Sequence, residues 1–245
     1  MIRALSPENQ HIFRRLVENK PCIAPMMEAN SEVFAGHPAL MRFYLCDESG
    51  ALMLRGGGGL LCGEADDEEL AGMLGFGGVE SLKTDGMVPF GWHAEETLRI
   101  MVLREIPAAH PLPGGAVLCE EPSMRQVMDL LQHEGLLGTA ADNFYSEACT
   151  KRSRGMARVW TVNLDGMPAA TAGAYTVTPR EAYLSAVLTL PEHRGQGLAG
   201  ALVAHAAAEL AQSGRKVSLL CREALVPFYA RLGFETVGEL LQTRP

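Results

Sequence analysis

Leu184-Ser185-Ala186-Val187-Leu188-Thr189-Leu190-Pro191-Glu192-His193-Arg194-Gly195-Gln196-Gly197-Leu198-Ala199-Gly200 is the stretch on which the reading of this 245-residue chain turns. It opens apolar and β-prone and stops being so at Pro191. A short loop with glycines follows, and then Leu198, Leu202, Ala206 and Leu210 recur at helical spacing. The order is strand, tight loop, helix. Gly195, Gly197 and Gly200 remove side chains where the backbone turns into the helix, so a ligand can come close to main-chain N–H groups. Those first N–H groups have no partner inside the helix, and the helix dipole adds positive potential. The stretch therefore reads as an anion site, most naturally for a phosphate or pyrophosphate.

Two common phosphate binders fit poorly. There is no Gly-Lys-Ser/Thr, which argues against a nucleoside-triphosphate loop. A dinucleotide fingerprint follows the first strand of its domain and is answered about 20 residues on by an acidic residue. Here the strand after the helix ends at Leu220-Cys221. The run Arg194-Gly195-Gln196-Gly197-Leu198-Ala199 resembles the acyl-CoA pyrophosphate loop of the GNAT acyltransferase superfamily, Arg/Gln-x-x-Gly-x-Gly/Ala. Phe228-Tyr229-Ala230-Arg231-Leu232-Gly233-Phe234-Glu235 resembles that superfamily's closing helix and Tyr-x-x-Leu-Gly-Phe turn. Each piece alone is weak; the two in this order, about 30 residues apart, are far more specific. The bland alternative is a glycine-rich turn before an ordinary surface helix.

Composition narrows the class. Hydrophobic residues make up 47% of the chain, ordinary for a globular protein, and no apolar run approaches the length of a membrane span. Met1 to Gln10 lacks the apolar region of a signal peptide, so a cytoplasmic location is expected. The six cysteines (22, 46, 62, 119, 149 and 221) form no Cys-x-x-Cys and read as reduced, mostly buried thiols. The seven histidines form no ligand-spaced pair, and no metal is implied. The net charge of −8 is uneven: residues 1–115 carry 9 Lys/Arg against 16 Asp/Glu, and residues 116–245 carry 12 against 13. An acidic first half argues against a nucleic-acid partner and is compatible with a cationic amine. Nothing in the sequence specifies an oligomeric state.

In the first half, residues 7–19 read as a helix capped by Ser6, and residues 22–41 as short helical pieces. Arg42 to Cys46 and Ala51 to Arg55 read as strands about a turn at Asp47-Glu48-Ser49-Gly50. Gly56 to Gly59 reads as a turn rather than a phosphate cradle, because Leu60-Leu61-Cys62 is another strand. A helix over 66–74 and strands over 76–84 and 97–103 follow, with Trp92 and His93 between the two strands as packing residues. Pro107 to Gly115 is rich in proline and glycine and marks a domain boundary, giving an N-terminal α+β domain at 1–112 and a second domain at 113–245.

The second half reads as a strand at 116–119, helices at 122–133 and 141–152, and a three-strand meander at 157–164, 167–177 and 182–190, the first turn of which is marked by Asp165-Gly166. A helix at 197–213, a strand at 216–221, a helix at 224–232 and a strand at 236–240 complete it. This is the GNAT order, so the resemblance covers roughly residues 115–240. It implies an α/β class with the GNAT fold, a mixed and mostly antiparallel sheet with flanking helices. Tandem copies occur in that superfamily, so a degenerate GNAT-like copy is one reading of the first half, although no phosphate loop is visible there.

The resemblance also implies a chemistry. Acetyl-CoA as cosubstrate would lie where the strand before the loop splays from the strand after the helix, along main-chain groups of Val187, Leu188 and Thr189. Gly195, Gln196, Gly197, Leu198, Ala199 and Gly200 would hold the pyrophosphate through N–H groups, with Arg194 adding charge. A primary amine of a small molecule or peptide would attack the thioester directly. An N–H near Leu188 would polarise the carbonyl, and Tyr229 would protonate the departing sulfur, a role suited to a phenol that keeps its proton at neutral pH. The pattern departs in two places. Arg222 stands where many members carry Asn, and residues 216–221 hold no acidic base, leaving Glu223 or a water chain for that task. Those departures keep a second reading open, a non-catalytic sensor or scaffold that binds acyl-CoA.

Overall fold

The structure is a computed structural model that describes residues 1–133, 135 and 141–245. The chain runs β1 (Ile2–Ala4), α1 (Gln10–Val17), α2 (Ile23–Phe34), β2 (Arg42–Cys46), β3 (Gly50–Arg55), β4 (Gly58–Gly63), α3 (Asp67–Phe76), β5 (Ser81–Thr84) and β6 (His93–Leu103). It continues with β7 (Ala116–Cys119), α4 (Met124–His133), α5 (Ala141–Ser153), β8 (Arg158–Leu164), β9 (Met167–Val177), β10 (Glu181–Thr189), α6 (Leu198–Gln212), β11 (Lys216–Arg222), α7 (Val226–Ala230) and β12 (Phe234–Arg244). These elements divide into two units. The first comprises Met1–Ile100 with Cys221–Ala224 and Val237–Pro245; the second comprises Met101–Leu220 with Leu225–Thr236.

Within the first unit the strand order is β1-β2-β3-β4-β5-β12-β6. The β2–β3 hairpin forms as read, Cys46 opposite Gly50. Helix α1 starts later than Ser6, because the Asn9 carboxamide accepts the Ser6 N–H at 2.8 Å and closes a turn ahead of Gln10. Helix α2 is one continuous element instead of short pieces. Pro25 falls in its first turn, where a missing N–H costs nothing. Asp66 caps α3, its Oδ1 accepting the Glu69 N–H at 2.9 Å, and acidic residues fill the first turn. Phe76 ends that helix rather than opening a strand, so β5 is confined to Ser81–Thr84. His93 opens β6 instead of preceding it. Leu52, Leu54, Leu61, Leu70, Leu74 and Leu82 pack into one core cluster of this unit.

Within the second unit the strand order is β11-β10-β9-β8-β7. β7 to β10 are antiparallel neighbours, and β10 pairs with β11 in parallel, as a strand–helix–strand crossover requires. Helices cover both faces. Val159, Tyr175 and Leu188 pack with Val127, Leu130 and Leu131 of α4 and Ala148 of α5. Trp160, next along β8 and so on the opposite face, donates its indole N–H to Glu209 of α6 at 2.9 Å. Among the described residues no helix is long and apolar enough to cross a membrane.

Candidate functional site

β10 is not a regular strand. Its register against β9 runs Ser185↔Gly173 and then Leu188↔Thr171, so Ala186 and Val187 together face one residue. This is a β-bulge, and Ala186 carries it at φ +51°, a left-handed conformation that an alanine adopts only under constraint. The bulge moves Leu188 onto the α4–α5 face. Leu184 and Leu188 would share a face in a regular strand; here Leu184 sits opposite Ala174 and Leu188 opposite Thr171. On the other side, parallel pairing of β10 with β11 runs from Glu181↔Lys216 to Leu184↔Leu219 and goes no further. The two strands separate just before the bulge begins, leaving main-chain groups from Ser185 to Thr189 on the open side.

The loop follows without a break. Residues 191–193 form a 3₁₀ turn, and Arg194 turns back so that its Nε donates to the Thr189 carbonyl at 3.0 Å. Gly195 lies at φ +77° and Gly197 at φ +82°; the latter is the N-cap of α6 and offers no side-chain cap. A Cβ built on Gly195, Gly197 or Gly200 meets no atom within 4 Å. Glycine at these positions is thus answered by open space around the helix start, which is the geometry of an anion cradle. Leu198 anchors the helix at 1% exposure, while residues 194–197 are exposed. The residues expected from the sequence, Val187, Leu188, Thr189 and 194–200, are therefore contiguous along the open side of β10 and the mouth of α6. The Thr189 hydroxyl is buried and has no partner among the described residues.

Tyr229 sits in α7 and is 6% exposed, edge-on to Phe228 at 4.9 Å and to Phe234 at 6.0 Å. Pro227 falls in the first turn of this short helix, Val226–Ala230, and residues 223–225 form a 3₁₀ turn ahead of it. The turn after it depends on glycine twice over. Gly233 is at φ +83°, and a Cβ there would stand 2.3 Å from the Glu105 carbonyl oxygen. Its own carbonyl accepts the Arg104 N–H at 2.9 Å. Glu223, the base candidate, is bound to Arg99 at 2.5 Å. Arg222, at the Asn position, is paired with Glu96 at 2.7 Å.

Two features lie beyond the sequence reading. One is the bulge. The other is a group of carboxylates about His205, whose Nε2 lies 3.1 Å from Glu120 and 3.7 Å from Glu209. Spacing among the histidines alone does not reveal it; the i,i+4 spacing of His205 and Glu209 on α6 is the available signal. Both Glu209 oxygens are engaged, by Arg158 at 2.6 Å and by Trp160 at 2.9 Å, so the group is an ion-pair network.

Comparison with known proteins bears on the family and the fold. The model of the acetyltransferase (GNAT) family matches residues 124–234. Residues 124–234, within the C-terminal half of the chain, thus form a GNAT acetyltransferase domain. No curated protein matches the chain in sequence. Among solved structures, a GCN5-related N-acetyltransferase from Sphaerobacter thermophilus is similar over 100% of this chain and 95% of its own, with 13% identity and a TM-score of 0.68. A tandem GNAT protein from the clavulanic acid biosynthesis pathway covers 100% and 98%, with 14% identity and a TM-score of 0.65. A GCN5-related N-acetyltransferase from Kribbella flavida covers 92% and 96%, with 15% identity and a TM-score of 0.65. At these identities the likeness establishes the fold. The match of a tandem protein over the whole chain is consistent with a GNAT-like copy in the first half.

Proposed function

We propose that the chain is an N-acetyltransferase that moves an acetyl group from acetyl-CoA to a primary amine of a small molecule or peptide. The observation that carries the reading is the separation of β10 from β11 after Leu184↔Leu219, directly before a bulge and a glycine loop at an uncapped helix start. In this reading the pyrophosphate rests on the N–H groups from Gly195 to Gly200 beside Arg194. The pantetheine arm runs along Val187, Leu188 and Thr189. The bulge turns a backbone N–H toward the thioester carbonyl, where it stabilises charge as the amine nitrogen bonds to carbon. Tyr229 gives its proton to the sulfur as the carbon–sulfur bond breaks. The amine loses its proton to water, since Glu223 is held by Arg99. The acidic first half supports a cationic acceptor and speaks against a nucleic-acid partner.

Calorimetric titration with acetyl-CoA, against desulfo-CoA and ATP, tests the site. Micromolar acetyl-CoA binding with poor ATP binding is expected; no binding at millimolar ligand would overturn the reading. A thiol-release assay over a panel of amines then tests turnover. Tyr229→Phe should lower kcat about a hundredfold or more, the usual range for loss of a positioned acid, while leaving acetyl-CoA affinity intact. Firm binding with no turnover on any amine would favour the acyl-CoA sensor.

A further inference from the structure

We infer that the Tyr175 hydroxyl is a second hydrogen-bond donor to the acyl carbonyl, acting beside the backbone of the β10 bulge; the inference rests on the acyl-transfer reading above. Tyr175 stands on β9 and is 4% exposed. Its ring meets Phe144 of α5 edge-on at 4.7 Å. It packs in the cluster that holds Val127, Leu131 and Leu188, and Ala186 and Leu190 of β10 and its end pack against the same cluster. Among the described residues its hydroxyl has no hydrogen-bond partner. Burial pushes the phenol's proton affinity up, so the group remains a donor across the working pH range.

Gly173 shows where the ring lies. A Cβ on Gly173 would stand 2.3 Å from Cε2 and 2.7 Å from Cζ of Tyr175. The ring is therefore folded back along β9, with the carbon that bears the hydroxyl above a residue two positions upstream. The next residue on that face of β9 is Thr171. Across that interval Gly173 pairs with Ser185 and Thr171 pairs with Leu188, so the residues opposite are the bulged Ala186 and Val187. The ring thus lies over the residue paired with Ser185, directly beside the bulge. A buried hydroxyl without a partner destabilises the free protein, and phenylalanine would pack there without that cost. A carbonyl oxygen delivered to the bulge supplies the missing acceptor. As the amine nitrogen bonds to the carbonyl carbon, the π pair moves onto that oxygen and the hydrogen bond strengthens. Tyr175 keeps its proton throughout, and the pair returns when the carbon–sulfur bond breaks.

The test compares the full chain with Tyr175→Phe by titration with acetyl-CoA and with CoA, which lacks the carbonyl, alongside thermal melting of the free proteins. The variant should bind acetyl-CoA about three- to tenfold more weakly, the range of one net hydrogen bond. It should bind CoA as the parent does, and it should melt at the same or a higher temperature. Unchanged acetyl-CoA affinity, an equal loss for both ligands, or a lower melting temperature would each overturn the inference. Failure of the parent to bind either ligand would overturn the acyl-transfer reading and this inference with it.

Discussion

The chain has two glycine-rich stretches, and they do opposite things. Gly56 to Gly59 closes the hairpin of β3 and β4, with Arg55 opposite Gly58. Gly195 to Gly200 opens α6. Both use left-handed backbone, Gly56 at φ +53° and Gly197 at φ +82°. A Cβ on Gly56 meets no atom within 4 Å either, so what separates the stretches is Gly59 and the space its side chain would enter. A Cβ on Gly59 would lie 2.7 Å from Leu82 Cδ1 and 2.9 Å from Leu54 Cδ2, inside a packed core. A Cβ on Gly195, Gly197 or Gly200 would meet nothing. At Gly59 glycine admits neighbouring side chains; in the second stretch it leaves the helix mouth clear. Glycine content alone therefore says little about anion binding. The element that follows, strand or helix, decides whether free N–H groups are presented.

The sharpest way to break this comparison is Gly200→Glu. The substitution adds a good helix former to the first turn of α6, where negative charge suits the dipole, so the free protein should be as stable or slightly more so. At the same place it sets a carboxylate against an incoming pyrophosphate. Like charges a few ångströms apart at a partly wet site repel strongly enough to cost about a hundredfold in affinity. Titration with acetyl-CoA beside a thermal melt reads both effects. A variant that binds normally would mean the helix mouth is not the anion site.

The converse change is Gly59→Val. Overpacking against Leu54 and Leu82 should destabilise the protein by about 1–3 kcal/mol, measured by urea unfolding. Acetyl-CoA affinity should stay within twofold. A large loss of affinity with little loss of stability would reverse the roles assigned to the two stretches.

Much of the second half was legible because its signals are local. Asp165-Gly166 marks a hairpin, apolar alternation marks β8, and the leucine spacing of α6 marks a helix. The first half was harder: residues 22–41 read as short helical pieces, yet α2 runs unbroken from Ile23 to Phe34, with Pro25 in its first turn. β12 reads as residues 236–240 yet runs to Arg244, because its polar end is held by a strand far away in sequence. Leu241 faces Thr84, and the Thr243 hydroxyl donates to the Leu82 carbonyl at 3.0 Å. The loop and Tyr229 were legible as motifs. The bulge was not. Residues 182–190 satisfy a regular strand, and only the register against β9 shows that Leu184 and Leu188 face opposite ways. Tyr175 was equally silent, since the meaning of its hydroxyl depends on what surrounds it.

The contrast between the halves extends to the cysteines, with the smallest expected effect. Cys46 and Cys62, on strands of the first unit, are 1% exposed. Burial lifts the Cys46 thiol to about 12, with Glu69 adding to it, and the Cys62 thiol to about 11, with Asp85 adding to it, from an ordinary 9.0. Lys20, which is ion-paired to Asp85, pulls Cys62 the other way without reversing the sign. Cys119 and Cys149, in the second unit, are partly exposed. The nucleophile in alkylation is the thiolate, and a raised proton affinity keeps that form scarce at pH 8. Iodoacetamide at pH 8 should therefore label Cys119 and Cys149 in the folded protein well before Cys46 and Cys62, which should react only after denaturant is added. Peptide mass mapping over a time course reads the order. Early labelling of Cys46 or Cys62 would mean that the first unit opens to solvent more readily than its leucine core implies. The contrast drawn between a packed glycine stretch and an open one would then weaken at its packed end.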